Sequence, residues 1–271
     1  MRLRSEIAEH SEVGPRLWRL VFGSPELAAS AIPGQFVHVL CGTSHDPLLR
    51  RPFSIHDADP DSGQAALLYE VRGRGTALLA EKRPGEMLDI LGPLGNGFRL
   101  PVSGDQPVVL AGGGVGIAPL RFLARKIADA VGGECITFNF GARTSEMHVC
   151  LDDFRCLCPM DLESRLWIAT DDGSLGDQGL VTDLLVRRVQ ELGDSEQPLI
   201  YACGPTPMLR EVARIAGEHH LQCQVSLEAK MACGVGACMG CVVKARDGDG
   251  FKYVRVCKEG PVFDAHEVIW G

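Results

Sequence analysis

Residues 107–131 read PVVLAGGGVGIAPLRFLARKIADAV, and this stretch decides the architecture of the middle of the chain. It begins with a short apolar run of the kind that forms a buried strand, and a glycine turn follows at once. The remainder has apolar residues at helical spacing, with Pro119 in the first turn, where its missing N–H does no harm. A strand, a glycine turn and a helix in this order are the context in which dinucleotide-binding loops occur.

The glycine turn departs from the GxGxxG pattern, because Ala118 and Pro119 stand where its last glycine belongs. A tight turn that binds nothing would satisfy the same local pattern. The functional interpretation is that the missing side chains let a ligand approach the backbone. The candidate glycines are Gly112, Gly113, Gly114 and Gly116.

Strands and helices alternate after this stretch. The predicted strands are CITFNFGAR (135–143), RLWIATDD (165–172) and PLIYACGP (198–205), and LVTDLLVRRVQEL (180–192) has a helical pattern. Such alternation predicts a parallel sheet covered by helices on both faces. Cys203 and Gly204 follow the end of a strand, where open α/β sheets place their ligands, so they are candidates for the wall of a nicotinamide site. Cys203 is equally well explained as a small buried residue.

The first hundred residues have a different texture, with short apolar runs separated by Gly, Pro and Asp. Regular short strands of this kind predict an antiparallel barrel or sandwich, with one helix near 75–83. The predicted strands are LWRLVFG (17–23), GQFVHVLCG (34–42), RPFSIHDAD (51–59), AALLYEVRG (65–73) and EMLDILGP (86–93).

A compact segment rich in cysteine and glycine begins near residue 226 and contains MACGVGACMGC at 231–241. With one distant cysteine it has the spacing C-x4-C-x2-C-x15-C, which is the plant-type spacing for a [2Fe–2S] cluster. The glycines let the loop wrap an iron–sulfur core and bring N–H groups close to the sulfurs. Zinc, which prefers two separated C-x2-C pairs, and plain buried cysteines are less favoured alternatives. The predicted ligands are Cys233, Cys238, Cys241 and Cys257, and the glycines are Gly234, Gly236 and Gly240.

The overall composition excludes several classes of partner. The formal net charge of −8 argues against nucleic acid, which selects a basic surface. The longest apolar run, at 108–120, is too short and too rich in glycine to span a bilayer, and the charged N-terminus lacks the core of a signal peptide. We therefore expect a cytoplasmic protein. Its 11 cysteines favour metal binding over disulfides in that reducing compartment.

RPFS at 51–54 is a candidate cofactor motif in the N-terminal part. A guanidinium followed by a rigid proline can hold a phosphate bidentately at a fixed position, with Ser54 facing a ring edge. LYE (68–70) comes next, and the pair Gly75 and Thr76 opens the predicted helix at a point that suits a phosphate. Taken alone, RPFS fits an edge strand with a solvated arginine better.

Together, RPFS, the GGxGxxP loop, CGP (203–205) and the C-terminal cysteines resemble the ferredoxin–NADP reductase-like family over essentially the whole chain. SLEAKMACGVGACMGCVV (226–243) and VCKEGPVFDAHEV (256–268) resemble, more narrowly, the electron-transfer subunits of the NAD+-linked, type B dihydroorotate dehydrogenases. The implied fold is β plus α/β. It has an N-terminal antiparallel flavin-binding β-barrel (1–100), a doubly wound parallel-sheet nucleotide domain (101–225) and a small C-terminal [2Fe–2S] domain (226–271).

The resemblance also implies the cofactors, which are FAD, a [2Fe–2S] cluster and NAD(H) as co-substrate. The implied FAD contacts are Arg51, Pro52, Phe53, Ser54, Leu68, Tyr69, Glu70, Gly75 and Thr76, among which Glu70 departs from the basic or neutral residue typical of relatives. The candidate NAD contacts are Gly112, Gly113, Gly114, Gly116, Pro119, Cys203 and Gly204, with Glu228 a candidate neighbour of the ring.

The implied function is electron transfer in pyrimidine biosynthesis. A partner chain with FMN would oxidise dihydroorotate, and electrons would pass through the cluster and FAD to NAD+, since a flavin exchanges electrons both singly and in pairs. No general acid or base for dihydroorotate oxidation is expected in this chain. The expected assembly is a heterotetramer with two copies of each chain.

Other functions share this layout. The first alternative is the reductase subunit of another complex, such as a ferredoxin–NAD(P) oxidoreductase, a sulfide dehydrogenase or a hydrogenase diaphorase. A redox sensor without turnover and a zinc-stabilised binding module are others. Arg143 could pair with the 2′-phosphate of NADP, although the resemblance favours NADH.

The remaining cysteines and histidines carry weaker signals. His148, Cys150, Cys156 and Cys158 form a second group, but C-x-C spacing is poor for zinc, so metal binding is not favoured there. The thiols expected to be core residues are Cys41, Cys135 and Cys223.

Overall fold

The N-terminal part forms a closed barrel of six strands in a computed structural model that describes residues 1–42, 46–155, 157, 165–193 and 196–271. The strands are β1 (Arg2–Gly14), β2 (Leu17–Gly23), β3 (Phe36–Leu40), β4 (Arg51–Asp59), β5 (Gln64–Glu70) and β6 (Met87–Leu94). Their order around the barrel is β1-β2-β5-β4-β3-β6, and each neighbouring pair is antiparallel. Two short helices, α1 (Pro25–Ser30) and α2 (Arg74–Ala80), connect strands.

The barrel closes around an apolar core supplied by alternate residues of its strands, as the period of two requires. Leu20, Val37, Ile55 and Leu67 are fully buried in this core. The five strands predicted from the sequence are confirmed. The remaining strand, β1, was not predicted, because Ile7 is the only apolar residue that it buries.

The middle of the chain forms the predicted doubly wound sheet. Its strands are β7 (Val108–Gly113), β8 (Ile136–Ala142), β9 (Leu166–Thr170), β10 (Asp177–Gln178), β11 (Leu199–Cys203) and β12 (Cys223–Ser226), and all of them are parallel. Helix α3 (Ile117–Val131) packs on one face, while α5 (Val181–Leu192) and α6 (Thr206–Glu218) pack on the other. The short helix α4 (Asp152–Arg155) precedes β9.

The strand order of this sheet fixes where a ligand can bind. It runs β10-β9-β8-β7-β11-β12, so the chain builds outward in one direction from β7 and in the other from β11. The loops after these two strands separate at their carboxyl ends and leave a crevice, which is the usual ligand position in open α/β sheets. The glycine turn and the Cys203–Gly204 pair follow those two strands.

The C-terminal segment is tied into the sheet. Strands β13 (Val242–Asp247) and β14 (Gly250–Arg255) form a hairpin, and β15 (Val262–Asp264) then pairs antiparallel with β12 at the sheet edge. Asn96, after the last barrel strand, forms an isolated bridge with Pro261. The cysteine loop between β12 and β13 is therefore held against both the sheet and the barrel.

Helix α3 also holds the barrel against the sheet. Arg125 donates hydrogen bonds of 2.9 and 2.7 Å to the Asp57 carboxylate on β4. The His56 Nδ1, also on β4, lies 3.0 Å from the Ala118 carbonyl, so this nitrogen carries the proton and donates it. The described part of the chain contains no helix of the length and apolar character needed to cross a membrane.

Candidate functional site

Two cavities meet where the barrel, the sheet and the C-terminal segment converge. The larger, of about 680 Å³, lies over the carboxyl ends of the parallel strands, and we call it the nucleotide-side cavity. The smaller, of about 210 Å³, lies against β4 and β5, and we call it the barrel-side cavity. Glu70, Arg72, Val115 and Glu228 line both, so the two cavities share a wall.

The barrel-side cavity brings together most of the residues predicted to contact FAD. Its lining from β4, β5 and α2 consists of Arg51, Pro52, Phe53, Ser54, Leu68, Tyr69, Glu70 and Thr76. Gly75 does not line it, but stands directly behind Arg51: a Cβ there would lie 2.9 Å from Nε and 3.3 Å from Cζ of the guanidinium. The absence of a side chain at Gly75 therefore leaves space for the Arg51 guanidinium.

Two of these residues have structural roles that the sequence did not reveal. The Thr76 Oγ accepts hydrogen bonds from the backbone N–H groups of Arg72 (3.0 Å) and Gly73 (3.1 Å), and so fixes the start of α2. The Tyr69 hydroxyl lies 2.8 Å from the His10 Nε2, and the Tyr69 ring packs edge-on against Phe53 in the barrel core. Burial raises the pKa of Tyr69.

The nucleotide-side cavity is lined by the loops that follow the parallel strands. Among the predicted NAD contacts it includes Gly113, Gly114 and Gly204, whereas Pro119 and Cys203 line the barrel-side cavity. The predicted contacts therefore lie on both sides of the shared wall.

Gly112 and Gly116 line neither cavity and instead allow close packing beneath them. A Cβ on Gly116 would lie 2.6 Å from the carbonyl carbon of Cys203 and 2.8 Å from the Cα of Gly204. A Cβ on Gly112 would lie 2.9 Å from Ile117 and 3.0 Å from Phe140. These glycines let the loop after β7 approach the loop after β11.

Sequence reasoning missed part of the nucleotide-side cavity. The residues concerned are Arg16, Gly141, Ala142, Met147, Asp171, Gly179, Leu180, Val181, Thr182, Pro205, Pro207, Met208 and Glu211. The start of α5, at residues 179–182, is another junction after a sheet strand, and that signal was available in the sequence. Arg16 comes from the turn between β1 and β2, and nothing in its local sequence indicates a cavity. Arg143, considered above for a 2′-phosphate, also lines this cavity.

A charged trio forms the shared wall. Arg72 donates a 2.6 Å hydrogen bond to Glu70, and its guanidinium lies 3.6 Å from the Glu228 carboxylate. The surrounding walls desolvate the Glu228 carboxyl and raise its pKa, although its side chain is 52% exposed within the cleft. Arg72 thus balances two carboxylates that would otherwise repel each other where the cavities join.

The three thiols of the cysteine loop and the thiol of Cys257, which follows β14, form two pairs. Cys233 lies beside Cys238, and Cys241 lies beside Cys257. Thiolates on one zinc ion would all lie about 3.8 Å apart, given Zn–S bonds of about 2.3 Å. Among the residues that the structure describes, however, only His56, Cys150 and Asp153 bring three candidate ligand atoms within 4.8 Å of one another. An arrangement in two neighbouring pairs fits a cluster with two irons better than a single zinc ion.

Backbone N–H groups and one arginine lie near these thiols, as suits an anionic cluster. Gly236 donates to the Cys257 Sγ at 3.2 Å, and Cys257 donates to the Cys241 Sγ at 3.4 Å. Hydrogen bonding from the Val235 N–H, with further contributions from Cys238 and Ala237, lowers the pKa of Cys233 to about 6. Arg255 donates a 2.6 Å hydrogen bond to the Gly236 carbonyl, which braces the loop. The N–H contacts favour negative charge at the sulfurs, although burial and the neighbouring Cys241 thiol raise the pKa of Cys257 to about 12.

The predicted group of His148, Cys150, Cys156 and Cys158 is not brought together among the described residues. His148 Nε2 bonds to the Ala169 carbonyl at 3.0 Å, and Cys156 and Cys158 lie outside the described residues. Cys150 lies with His56 and Asp153 where α4 meets the barrel; contact with the His56 ring, aided by nearby arginine charge, lowers the pKa of Asp153. Cys41, Cys203 and Cys223 are buried and Cys135 is half-buried, and burial raises the pKa of the Cys203 thiol.

Two family models match this chain. One is described as the iron–sulfur cluster binding domain of dihydroorotate dehydrogenase B and matches residues 228–269. The other is described as the oxidoreductase NAD-binding domain and matches residues 110–214. The first covers the whole cysteine loop, and the second covers the glycine turn, α3 and the strands that line the nucleotide-side cavity.

Full-length relatives and solved structures are also similar. The dihydroorotate dehydrogenase B (NAD(+)) electron transfer subunit of Desulforamulus reducens is 41% identical over 95% of this chain and 94% of its own length. The corresponding subunit of Geobacillus kaustophilus is 39% identical over 99% of this chain and 98% of its own length. Among solved structures, one of the NADH-dependent reduced ferredoxin–NADP oxidoreductase is 30% identical in sequence and was described in connection with flavin-based electron bifurcation. It superimposes with a TM-score of 0.81, and the match covers 98% of this chain and 90% of that one.

Proposed function

The chain belongs to the family of dihydroorotate dehydrogenase B (NAD(+)) electron transfer subunits, and from that premise we propose how its residues serve electron transfer. The predicted family, fold class and oxidoreductase function are confirmed, as is the cofactor set of FAD, a [2Fe–2S] cluster and NAD(H). The subunit name implies a separate catalytic partner. The individual site residues, the domain boundaries, the stoichiometry and the compartment are our proposals.

The function that the site supports best is transfer of electrons from a dihydroorotate dehydrogenase catalytic chain to NAD+, in pyrimidine biosynthesis. One observation carries it: the barrel-side cavity adjoins the nucleotide-side cavity through a shared wall and is also lined by Leu227, Ala229 and Met231, which lead into the cysteine loop. A group bound there contacts both the nucleotide side and the start of the loop.

We assign FAD to the barrel-side cavity. When bound, FAD exchanges electrons in pairs with a nicotinamide and singly with an iron–sulfur cluster. Arg51 supplies the positive charge for its phosphates, and Gly75 leaves space for that guanidinium. Ser54 offers a hydroxyl to the ring, and Thr76 serves by fixing the start of α2. Pro52, Phe53, Leu68, Tyr69 and Glu70 complete the proposed set.

We assign NAD(H) to the nucleotide-side cavity, with its nicotinamide toward the shared wall. Gly113, Gly114 and Gly204 offer backbone without side chains, so the dinucleotide can approach closely. Pro119 and Cys203 face the barrel-side cavity and so would border the ring, while Gly112 and Gly116 keep the two loops close together. Cys203 acts here as a neutral wall, since its thiol is buried.

Cys233, Cys238, Cys241 and Cys257 are the proposed ligands of the cluster. Cys241 and Cys257 are buried, whereas Cys238 is exposed, and Met239 beside it is 50% exposed. The edge of the loop at Cys238 therefore faces outward, where the catalytic partner can dock within a short distance for electron transfer.

The domain boundaries, stoichiometry and compartment that we propose are those expected for the family. We propose domains at 1–100, 101–225 and 226–271, with the qualification that β15 of the last segment pairs with β12 of the nucleotide sheet. We propose a heterotetramer with two copies of each chain, located in the cytoplasm because so many free thiols suit a reducing compartment.

Co-purification with a catalytic chain, followed by spectroscopy, tests this proposal. The full chain, expressed with a dihydroorotate dehydrogenase catalytic chain and isolated anaerobically, should contain one FAD and two irons per copy. Dihydroorotate should then reduce NAD+ in the complex but not with either chain alone. Material without flavin, or with zinc in place of iron and sulfide, would refute the assignment.

A second function is favoured by the likeness to the NADH-dependent ferredoxin–NADP oxidoreductase, which spans nearly the whole of both chains. In that case the partner would be the other subunit of a ferredoxin–NAD(P) oxidoreductase. Reduction of ferredoxin by NADH in the isolated complex, with no response to dihydroorotate, would establish this alternative.

A further inference from the structure

His38 on β3 has a fully buried imidazole that forms no hydrogen bond of ordinary geometry within the described chain, although backbone groups of Arg50 and Cys233 lie close to the ring. Its residue exposure is 0%, and both Nδ1 and Nε2 are unpaired. A neutral imidazole has one N–H donor and one acceptor nitrogen. Leaving a buried polar group unpaired costs about 1–3 kcal/mol, so such groups are rarely retained without a partner. The ring therefore keeps an N–H that is available to an acceptor outside this chain.

The position of the ring shows where that partner lies. A Cβ on Gly234 would be 2.5 Å from the His38 Nδ1 and 3.0 Å from its Cε1, so the ring packs directly on the loop backbone next to Cys233. Gly234 has φ of +70°, a conformation that glycine adopts without strain. Across the barrel sheet, His38 pairs in register with Pro52. The imidazole thus lies between the RPFS strand and the cysteine loop.

The charges around His38 favour a neutral ring that donates its proton to an anion. Burial is the main factor that disfavours a positive charge on the ring, and the nearby charges of Arg50 and Arg51 disfavour it further. Because Nδ1 faces the loop, an acceptor on the loop side is better placed than one on the barrel side. An iron–sulfur cluster carries net negative charge and offers sulfur acceptors.

We propose that His38 is a positioning residue for the iron–sulfur cluster, donating its ring N–H to a sulfur on the Cys233 side and thereby raising the reduction potential of the cluster. This inference rests on the proposed assignment of the cluster to Cys233, Cys238, Cys241 and Cys257. The physical reason is that reduction adds negative charge to the sulfurs, so a donor stabilises the reduced form more than the oxidised form.

Anaerobic redox titration of the full chain, followed by electron paramagnetic resonance of the reduced cluster, tests the proposal. His38→Leu keeps a similar apolar volume but has no donor, and His38→Gln retains an N–H. We expect the ratio of reduced to oxidised cluster at a fixed potential to fall about tenfold in H38L, which for one electron is about 59 mV. H38Q should remain within about threefold of the wild type. His219→Leu, at an exposed position, is the matched control and should not shift.

The outcomes of the redox titration separate the role of His38 from the assignment of the cluster. Equal potentials for H38L and the wild type, or equal losses in H38L and H38Q, would overturn the role of His38 while leaving the cluster assignment intact. A shift in the flavin potential alone would place the donor on the barrel side and refute the proposal. Absence of any iron–sulfur signal in the wild type would instead refute the assignment of the cluster itself.

A measurement on the unmutated protein guards against variants that fail to fold. Full chain labelled with ¹⁵N-histidine should show a weakly coupled ¹⁵N nucleus in pulsed electron paramagnetic resonance of the reduced cluster, and the coupling should disappear in H38Q. A wild-type spectrum without that coupling would contradict the hydrogen bond directly.

Discussion

Gly116→Ala tests the contact that brings the loop after β7 against the loop after β11. Gly116 has φ of −61° and ψ of −13°, values that alanine adopts freely, so the substitution introduces no backbone strain. The added methyl group would clash first with the carbonyl oxygen of Cys203 and would lie 2.6 Å from its carbonyl carbon, where ordinary contact begins at 3.4 Å. The backbone of one loop must therefore move by more than about 0.8 Å, and overpacking of this kind costs about 1–3 kcal/mol or more.

Two measurements follow from that displacement. The thermal midpoint of the full chain should fall by about 2–4 °C for each kcal/mol lost. Because Cys203 and Gly204 border the proposed nicotinamide position, the dissociation constant for NADH should rise about tenfold, equivalent to about 1.4 kcal/mol. Thermal unfolding and anaerobic titration with NADH, followed by flavin absorbance, measure the two effects separately.

Gly217→Ala is the matched control, since it makes the same chemical change within α6. A Cβ on Gly217 would meet nothing within 4 Å, and alanine is favoured over glycine inside a helix by about 0.5–1 kcal/mol. G217A should therefore melt slightly higher and bind NADH normally. If G116A behaved like G217A, the steric reasoning would be refuted. A lower midpoint with normal NADH binding would show that the contact supports the fold only.

Three other substitutions probe the remaining parts of the site. Arg51→Ala should weaken FAD binding about 10–100-fold, because hydrogen bonds to charged groups contribute about 1.5–3 kcal/mol; flavin content after dialysis measures this, and Arg214→Ala, which removes an exposed charge on α6, should retain its flavin. Cys241→Ser should lose the iron–sulfur absorbance but keep FAD, whereas Cys135→Ser should keep both; a C241S protein with intact cluster absorbance would disprove the ligand assignment. Glu259→Gln should destabilise the cysteine loop, because Glu259 pairs with Arg255, the arginine that bonds to the Gly236 carbonyl of that loop. This pairing lowers the pKa of Glu259 from 4.5 to about 2. The contribution of that carboxylate is complete above about pH 4.5 and disappears as the pH falls toward 2, so the difference in stability between E259Q and the wild type should shrink over that interval. A difference that is independent of pH would contradict this account.

The sequence predicted elements well where one local pattern determined them. The strand, glycine turn and helix at 107–131 appear as β7 and α3, because a buried parallel strand and an amphipathic helix each have their own apolar period. The cysteine spacing was equally informative, since a loop must place its thiols within reach of one another. Strand β15 was not predicted, because its three residues, VFD, owe their strand conformation to pairing with β12.

The site could be predicted only in part, because its roles depend on residues distant in the chain. Thr76 was expected to face a phosphate, and its local sequence gave no sign that its hydroxyl caps α2. The Arg72–Glu228 contact joins positions 156 residues apart, so no spacing rule could find it. His38 lies in an ordinary apolar strand pattern, and its unpaired ring becomes visible only when the cysteine loop is placed against it.

Helix α3 explains why the two cavities keep a fixed relation to each other. Its first turn supplies Ala118, whose carbonyl accepts the bond from His56, and Pro119, which lines the barrel-side cavity. About two turns farther, Arg125 binds Asp57 of the barrel, while Gly116 packs under the loop after β11. The residues that attach the barrel to the sheet are thus next to those that separate the proposed flavin and nicotinamide positions. Loosening this attachment should therefore change electron transfer between the two positions before it unfolds either part.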